Sequence, residues 1–254
     1  KITQKLTKSI WKSSLVALTF LFGLSINAQD LVLQGIIDFD VPSAGSDGKA
    51  IHVLVVNDID NLSLYGIGVA NNGGGTDGQE YTFDAISVSA GDHILVARTP
   101  SAMESYFTTD GYNLFDHELV ANSQINSNGN DAVELFKNGS VVETFGEIVF
   151  EGGSGIYSMD WAFQDSWAYK NIPGSVWPDG WIYGGQQCTD GSTTTFDSTC
   201  VYPFVAALSN GDFTSYELAI FPNPVNDGFV NIKTQINGVL NVKLYDIMGR
   251  CVLS

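Results

Sequence analysis

The sequence predicts an all-β protein in which a larger β-sandwich precedes a partial second small β-sandwich module at the C-terminus. Between residues 29 and 218, no long stretch keeps the period of an amphipathic helix. Short runs of alternating or β-branched residues recur instead, separated by clusters of Gly, Asn, Asp and Ser. This pattern is typical of a sandwich built from short strands. After residue 218 a new entry loop with two prolines leads into further short strand-like runs.

The first 28 residues have the layout of a secretory signal peptide. Four lysines lie within the first 12 residues, and a largely apolar stretch follows at residues 15–24. That stretch is too short to cross a bilayer of about 30 Å as a helix. Ala28 supplies the small residue expected at a cleavage point. We therefore expect export, and no transmembrane segment once the signal is removed.

The charge of the remaining chain limits its partners. After residue 28, 7 Lys and Arg residues stand against 28 Asp and Glu residues, a net charge of −21. Such a field repels phosphate groups, so we predict no nucleic-acid partner. We divide this part into a sandwich domain at 29–205, a linker at 206–218, where the strand pattern is lost, and a module at 219–254.

Individual elements follow from local patterns. Strand-like runs occur at residues 31–39, 50–56, 62–69, 81–88 and 93–97, and one short helix is predicted at 101–107. The clearest hairpin is DAVELFKNGSVVETFGEI, where two runs of period two flank Asn138 and Gly139. This pair is favoured in turns whose two central residues need positive φ. Alternation in SWAYKNI directs Trp167 and Tyr169 to one face.

Cysteine usage agrees with export. Cys188 and Cys200 bracket the polar segment TDGSTTTFDST, and in an oxidising compartment we expect them to form a disulfide. Closing a loop of this size stabilises a fold by about 3 kcal/mol. Cys251 is left over and is predicted to stay unpaired. No Cys and His spacing resembles a zinc site.

Four of the five tryptophans lie between residues 157 and 185. In one interpretation, Trp161, Trp177 and Trp181 bind a ligand as a stacking platform for sugar rings. In the other, the aromatic residues fill the sandwich core, as most buried aromatic residues do. The strand alternation favours the core interpretation, above all for Trp167.

Calcium is the candidate cofactor. Asp38 and Asp40 in DFD, Asp58 and Asp60 in NDIDN, and the segment NSNGND at residues 126–131 carry oxygen ligands at loop spacings. Calcium takes six to eight such oxygens, often from several loops. None of these segments has the order of an EF-hand loop, and Asn and Asp also favour turns for reasons of their own.

No motif predicts catalysis. The sequence has no H-E-x-x-H, no G-x-S-x-G in a strand–turn–helix setting and no phosphate-binding loop. His52 and His93 lie inside strand-like runs, and His117 has no second histidine at ligand spacing. We therefore assign no catalytic residue.

The C-terminal module resembles the type A C-terminal sorting domain of the type IX secretion system. The resemblance rests on FPNPVNDGFVNI at residues 221–232 and VKLYDIMGRCVLS at residues 242–254. Its motif residues are Pro222, Asn223, Pro224, Tyr245, Asp246, Gly249 and Arg250. Family members continue with further strands, so the module at 219–254 is expected to be truncated. The resemblance implies the type IX secretion machinery as partner, and a secreted or outer-membrane-surface location in a Gram-negative bacterium.

A second resemblance covers most of residues 30–205. DLVLQGIID, NLSLYGIGVANNGGGTDGQEYTF, VSAGDHILVAR and GNDAVELFKNGSVVETFGEI are similar to lamin-tail-like domains of bacterial secreted proteins. This resemblance implies an immunoglobulin-like β-sandwich that serves as an accessory or adhesion module, sometimes beside a nuclease or phosphatase.

Together these observations predict a non-enzymatic, type IX-exported binding or structural module whose ligand is a surface glycan or protein. The alternatives are an accessory domain or fragment of a secreted hydrolase, and a carbohydrate-binding module that uses the tryptophans.

Overall fold

The computed structural model describes residues 29–43, 45–151 and 153–206, and four short strands after residue 218. The predicted signal peptide at 1–28 and most of the predicted linker, 207–218, lie outside the described residues. Within residues 29–206 there are ten strands and one α-helix. No helix in the described part of the chain is long and apolar enough to cross a membrane.

The strands of residues 29–206 form two sheets. In chain order they are β1 (Leu31–Phe39), β2 (Gly48–Val55), β3 (Tyr65–Ala70), β4 (Tyr81–Thr82), β5 (His93–Ala97), β6 (His117–Val120), β7 (Ala132–Lys137), β8 (Ser140–Phe145), β9 (Ser166–Lys170) and β10 (Trp181–Tyr183). One sheet has the order β10-β9-β1-β2-β5-β6, and the other has the order β4-β3-β7-β8. Only β5 and β6 pair in parallel. Helix α1 (Pro100–Tyr112) connects them, because parallel neighbours need a crossover connection.

The main core lies between the two sheets. Leu33 of β1 and Val53 of β2 face Ile67 of β3 and Leu135 of β7, and all four side chains are fully buried in one cluster. Inward-facing residues of this kind alternate with outward-facing ones along each strand. The fold is therefore mostly β, with two packed sheets, as the strand pattern predicts.

A second core covers the other face of the six-stranded sheet. Met103, Tyr106 and Phe107 of α1 lie at helical spacing, and all three are buried there. Trp167 of β9 and Tyr202 of the C-terminal segment join the same cluster. The sheet is thus buried on both faces, which makes three layers over this part of the molecule.

Most predicted elements are confirmed, but two predicted strands are partly wrong. In the strand predicted at 62–69, Leu62–Leu64 form a 3-10 helix and β3 begins only at Tyr65. β1 and β5 have the predicted bounds, and the hairpin turns at Asn138 (φ 52°) and Gly139 (φ 74°). The helix runs to Tyr112, further than predicted, although Thr108 within it has a non-helical φ of 64°. The predicted strand at 81–88 is wrong beyond Thr82: only β4 forms there, and Val88 makes an isolated bridge to Ile59.

In the C-terminal module the structure describes four strands, β11 (Ala219–Phe221), β12 (Asn231–Lys233), β13 (Leu244–Tyr245) and β14 (Cys251–Leu253). β11 pairs with β12, and β13 pairs with β14, both antiparallel. Tyr245 lies on β13. The other motif residues of the sorting module lie outside the described residues.

Candidate functional site

Lys49 is buried at the end of the sandwich where β1 ends and β2 begins. Its ammonium donates to Asp38 Oδ1 at 2.6 Å, to the Ser127 carbonyl at 2.7 Å and to Asn128 Oδ1 at 2.8 Å. An ammonium has three protons, so these three oxygens satisfy it completely. The side chains of Lys49 and Asp38 are only 5% and 7% exposed. A buried charge of this kind is tolerated because it is paired and hydrogen-bonded.

The loop at residues 126–131 is fixed around this ammonium by Asp131. The Asp131 carboxylate is fully buried and accepts hydrogen bonds from the backbone N–H groups of Asn72 and Asn128, both at 2.7 Å. Burial raises the pKa of Asp131, and the two hydrogen bonds act against that rise. The loop whose composition suggested a calcium ligand therefore binds the ammonium of Lys49.

Asp165 lies beside the ion pair, and its backbone N–H donates to Asp38 Oδ2 at 3.4 Å. Burial, and then the negative charges of Asp38, Asp190 and Asp40, raise the pKa of Asp165 to about 6. Asp165 is therefore partly protonated in mildly acidic solution, while an ordinary aspartate is ionised. We call Asp38, Lys49, Asp131 and Asp165 the acidic end.

The other two predicted calcium residues lie far from the acidic end. In the antiparallel β1–β2 pair, Asp38 lies opposite Lys49, whereas Leu31 lies opposite Val55 at the other end of the hairpin. Asp58 and Asp60 follow that other end and are exposed, and Asp58 Oδ1 accepts the Ala90 N–H at 2.9 Å. The structure thus separates the two Asp pairs. No group of three His, Cys, Asp or Glu side chains in the described residues could hold a metal ion.

The predicted disulfide joins Cys188 and Cys200. Its loop lies against the acidic end, since Thr189 Oγ1 donates to the Asp165 carbonyl at 2.7 Å and accepts the Asp40 N–H at 3.2 Å. The side chain of Cys251 lies outside the described residues.

Two histidines form a pair that the sequence does not indicate. β2 and β5 are antiparallel, with His52 opposite Leu95 and Leu54 opposite His93, so the two histidines are diagonal neighbours on one face. His52 Nε2 lies 2.8 Å from His93 Nδ1, and His52 Nδ1 lies 3.0 Å from Tyr202 Oη. Burial lowers the pKa of His52 well below its ordinary value. His52 is fully buried among Phe115, Tyr202 and Phe204, whereas His93 beside it is half-buried.

The structure separates the four tryptophans of residues 157–185. Trp161 (6% exposed) and Trp181 (8%) lie in the core between the sheets, while Trp167 (6%) lies in the second core with Tyr169 against it, on the predicted face. Trp177 is only partly buried and packs against the first core. The core interpretation therefore describes three of the four, and Trp177 is the one with an accessible surface.

Trp177 forms part of an aromatic cleft of about 510 Å³. Its eight lining residues are Glu147, Ser158, Met159, Asp160, Trp161, Trp177, Pro178 and Tyr183. Trp177 is held by the edge-to-face contact of its ring with Trp161 (centroids 6.0 Å apart, planes at 86°) and by a hydrogen bond from its Nε1 to Tyr183 Oη at 3.3 Å. The ring is therefore fixed in place before any ligand binds.

The two carboxylates of the aromatic cleft have no partners within the described chain. Glu147 and Asp160 are exposed, and their carboxylates make neither a hydrogen bond nor an ion pair with the described residues. Trp161 is buried, and its indole N–H lacks a hydrogen-bond acceptor. The buried indole N–H of Trp181, in the same core, lacks an acceptor as well, so the unpartnered N–H of Trp161 does not by itself mark the cleft as a site.

A larger groove of about 940 Å³ runs along β8 and has a different character. Its walls are mainly apolar, with Val141, Val142 and Val176 among them. Its one buried carboxylate, Glu143, forms an ion pair with Lys170 of β9. The groove therefore offers no unpartnered charged group to orient a ligand, and the aromatic cleft is the better candidate site.

Comparison with known proteins identifies one region. Residues 219–254 match the family model described as the secretion system C-terminal sorting domain. No curated protein and no solved structure matches the chain. The match covers the module in which the sequence carries the sorting motif, and it is consistent with a secreted or cell-surface protein of the Bacteroidetes. The C-terminal module is thus a type IX sorting domain, and the protein is one that this machinery exports.

Proposed function

We propose that this protein is a non-enzymatic extracellular binding module, and that type IX secretion delivers it to the medium or the cell surface. Residues 29–205 are an immunoglobulin-like, lamin-tail-like sandwich that presents the aromatic cleft. The main observation behind the proposal is that some charged side chains have partners within the fold and others do not. The buried cations Lys49 and Lys170 are paired within the fold, whereas the carboxylates of the cleft are left for a partner.

Further support comes from the way the fold uses its titratable groups. The buried ion pairs join neighbouring elements: Lys49 and Asp38 link β2 to β1, and Lys170 and Glu143 link β9 to β8. Groups engaged in this way hold the sandwich together and cannot easily transfer protons to a substrate. An accessible apolar cleft with a few polar groups is the usual form of a binding site.

Export is tested in a bacterium that has type IX secretion. The gene is expressed complete and also without the codons from residue 219 onward, and the protein is located by fractionation. We expect the complete protein in the medium or on the outer surface and the shortened one in the periplasm. Secretion of the shortened protein would contradict the assignment of the export signal to the C-terminal module.

The proposal that the protein is not an enzyme is tested on the purified protein with phosphomonoester, phosphodiester and glycoside substrates. We expect no turnover above that of a heat-unfolded sample. Turnover that copurifies with the folded protein and is lost in an Asp165→Asn variant would favour the hydrolase alternative.

A further inference from the structure

Residues 200–206 lie on the face of the six-stranded sheet that carries the second core, and we call them the C-terminal cover. Tyr202 and Val205 of this cover are fully buried. The sheet has a glycine, Gly35 of β1, where the Tyr202 hydroxyl enters, and a Cβ atom there would lie 1.8 Å from that hydroxyl. The cover is therefore fitted to the sheet at Tyr202.

The cover contacts the histidine pair. The ring centroid of Phe204 lies 4.2 Å from that of His93 and 4.8 Å from that of His52. Tyr202 Oη lies 3.0 Å from His52 Nδ1, and His52 Nε2 lies 2.8 Å from His93 Nδ1. One hydrogen-bonded chain thus runs from the cover through buried His52 to the half-buried ring of His93.

The donors and acceptors of this chain fix its direction. The Tyr202 hydroxyl has one proton, and among the described residues His52 Nδ1 is the acceptor that the structure gives it. If Nδ1 accepts, the proton of neutral His52 lies on Nε2 and is donated to His93 Nδ1. The proton of neutral His93 is then on Nε2. In this neutral arrangement both hydrogen bonds are made.

A further proton disrupts the chain. It must add to His93 Nδ1, because Nε2 of that ring already has one. Two N–H groups then face each other across 2.8 Å unless His52 moves its proton to Nδ1. That move leaves the buried Tyr202 hydroxyl proton without an acceptor, which destabilises the packing that buries it. The face of Phe204 attracts an imidazolium, but it supplies no acceptor for the hydroxyl.

The groups around the histidine pair leave it neutral at pH 7. Burial lowers the pKa of His93, although the negative charges of Asp116 and Asp92 oppose this. Burial lowers the pKa of His52 well below its ordinary value. The cover has no charged residue. The other titratable groups on the neighbouring elements are Tyr169 near His52, Glu118 with its partner Tyr112, and His117, which is paired with Asp92.

The sign of the pH dependence follows from these surroundings. Histidines freed from the cover regain an ordinary pKa of about 6.5, so the loosened form binds more protons than the packed form. The attachment of the cover therefore weakens as the pH falls below about 6.5.

We propose that the C-terminal cover is an acid-sensitive contact: protonation of the His52–His93 pair loosens residues 200–206 from the sheet while the core between the two sheets stays folded. Because the cover leads into the C-terminal module, pH controls how firmly the start of that connection is attached. His93 lies directly opposite Leu54, which lines the groove along β8. A loosened cover therefore extends this apolar groove.

The test is hydrogen exchange of the full chain at about pH 7.5 and about pH 5, on either side of an ordinary histidine pKa, with each rate divided by the intrinsic rate at that pH. The reporters are the N–H groups of Tyr202 and Val205, which donate to Thr195 Oγ1 at 3.0 Å and to the Tyr202 carbonyl at 3.1 Å. We expect their protection to fall by about tenfold or more at the lower pH. Protection in β3 and β7 of the other sheet should not fall with it.

Variants assign the effect to the histidine pair. His93→Asn retains an acceptor for the His52 N–H but does not titrate, so the cover should keep its protection at the lower pH. The matched control is His117→Asn, which removes the histidine paired with Asp92 and should behave as the unaltered protein does. Tyr202→Phe keeps the ring and removes the hydroxyl, so its acid-dependent loss should be smaller. This variant carries the test if His93→Asn does not fold.

Three results would overturn the inference. The first is equal protection of the cover at both pH values in the unaltered protein. The second is an equal loss in β3 and β7, which would mean that the whole domain is destabilised. The third is an undiminished acid-dependent loss in His93→Asn, or in Tyr202→Phe where that variant carries the test.

Discussion

The acidic end and the aromatic cleft are both rich in carboxylates, but only one of them is complete. At the acidic end, Asp38 holds Lys49 at 2.6 Å and two further oxygens satisfy the same ammonium. In the cleft, Glu147 and Asp160 have no partner in the described chain. The comparison shows that the abundance of carboxylates in a segment does not identify a ligand site. A carboxylate is available to a ligand only where the fold supplies no cation of its own to pair with it.

The largest expected effect comes from a substitution that disrupts the ion pair of the acidic end. Lys49→Met should lower the free energy of unfolding by about 3–5 kcal/mol, because it leaves Asp38 as a buried carboxylate without its cation. Urea unfolding measures the change.

The matched control for Lys49 is Lys137→Met. Lys137 also forms an ion pair at 2.6 Å, with Asp30, but the two side chains are 37% and 31% exposed. Solvent screens this pair, so we expect a loss below about 1 kcal/mol. Equal losses in the two variants would contradict the interpretation of Lys49 as an internal replacement for a bound cation.

The second prediction concerns the loop that covers the acidic end. Cys188→Ser with Cys200→Ser should destabilise the protein by about 3 kcal/mol, since the unfolded chain regains the freedom of a closed loop. The cysteines are 12 residues apart. Chemical denaturation with and without a reducing agent measures the effect, and Cys251→Ser is the control with no expected change. If reduction left the stability of the unaltered protein unchanged, the loop would not depend on its crosslink.

A smaller effect, with a pH signature, is expected at Asp165. The folded protein retains this proton up to about pH 6, whereas the unfolded chain releases it near 3.8. The unfolded chain thus binds fewer protons in this window, so the contribution of Asp165 to stability falls as the pH rises from about 4 to 6. Asp165→Asn should remove that fall and keep the positive φ of 45°, which asparagine tolerates.

Near pH 4 we expect this variant to have the same free energy of unfolding as the unaltered protein. At pH 7 we expect it to be more stable by about 1 kcal/mol, a value reduced because solvent surrounds the half-buried carboxyl group. His52 and His93, whose pKa values are lowered, contribute the opposite slope. The measured quantity is therefore the difference in the free energy of unfolding between the variant and the unaltered protein at each pH. A constant difference across the range would be incompatible with a raised pKa at Asp165.

The smallest effect is expected in the aromatic cleft. Glu147→Gln and Asp160→Asn should each change the free energy of unfolding by no more than about 0.5 kcal/mol, because neither carboxylate has a partner to lose. Glu143→Gln, which removes the charge paired with buried Lys170, is the contrasting variant and should cost more than about 1 kcal/mol. A large loss of stability in Glu147→Gln would assign this carboxylate a structural role and would argue against the cleft as a binding site.

Local features of the fold could be predicted because they depend on neighbours in the sequence. The hairpin at Asn138 and Gly139 depends on two residues that accept positive φ. Strand β1 depends on its β-branched and apolar run, and the sorting module depends on two contiguous motifs. The 81–88 segment failed as a strand because strand propensity needs a partner, and β4 pairs with β3 only at Tyr81 and Thr82.

The sequence by itself determined the β class, the crosslink between Cys188 and Cys200 and the export module, since short-range patterns encode each of them. Only the tertiary structure decided which acidic and aromatic residues are available to a partner. Strand pairing brings Lys49 to Asp38, and sheet packing leaves Trp177 at the surface while it buries Trp161. The loop that completes the Lys49 site, with Ser127 and Asn128, is distant from Lys49 in the chain. Burial with pairing, not composition, decides whether a polar or aromatic group is free to bind.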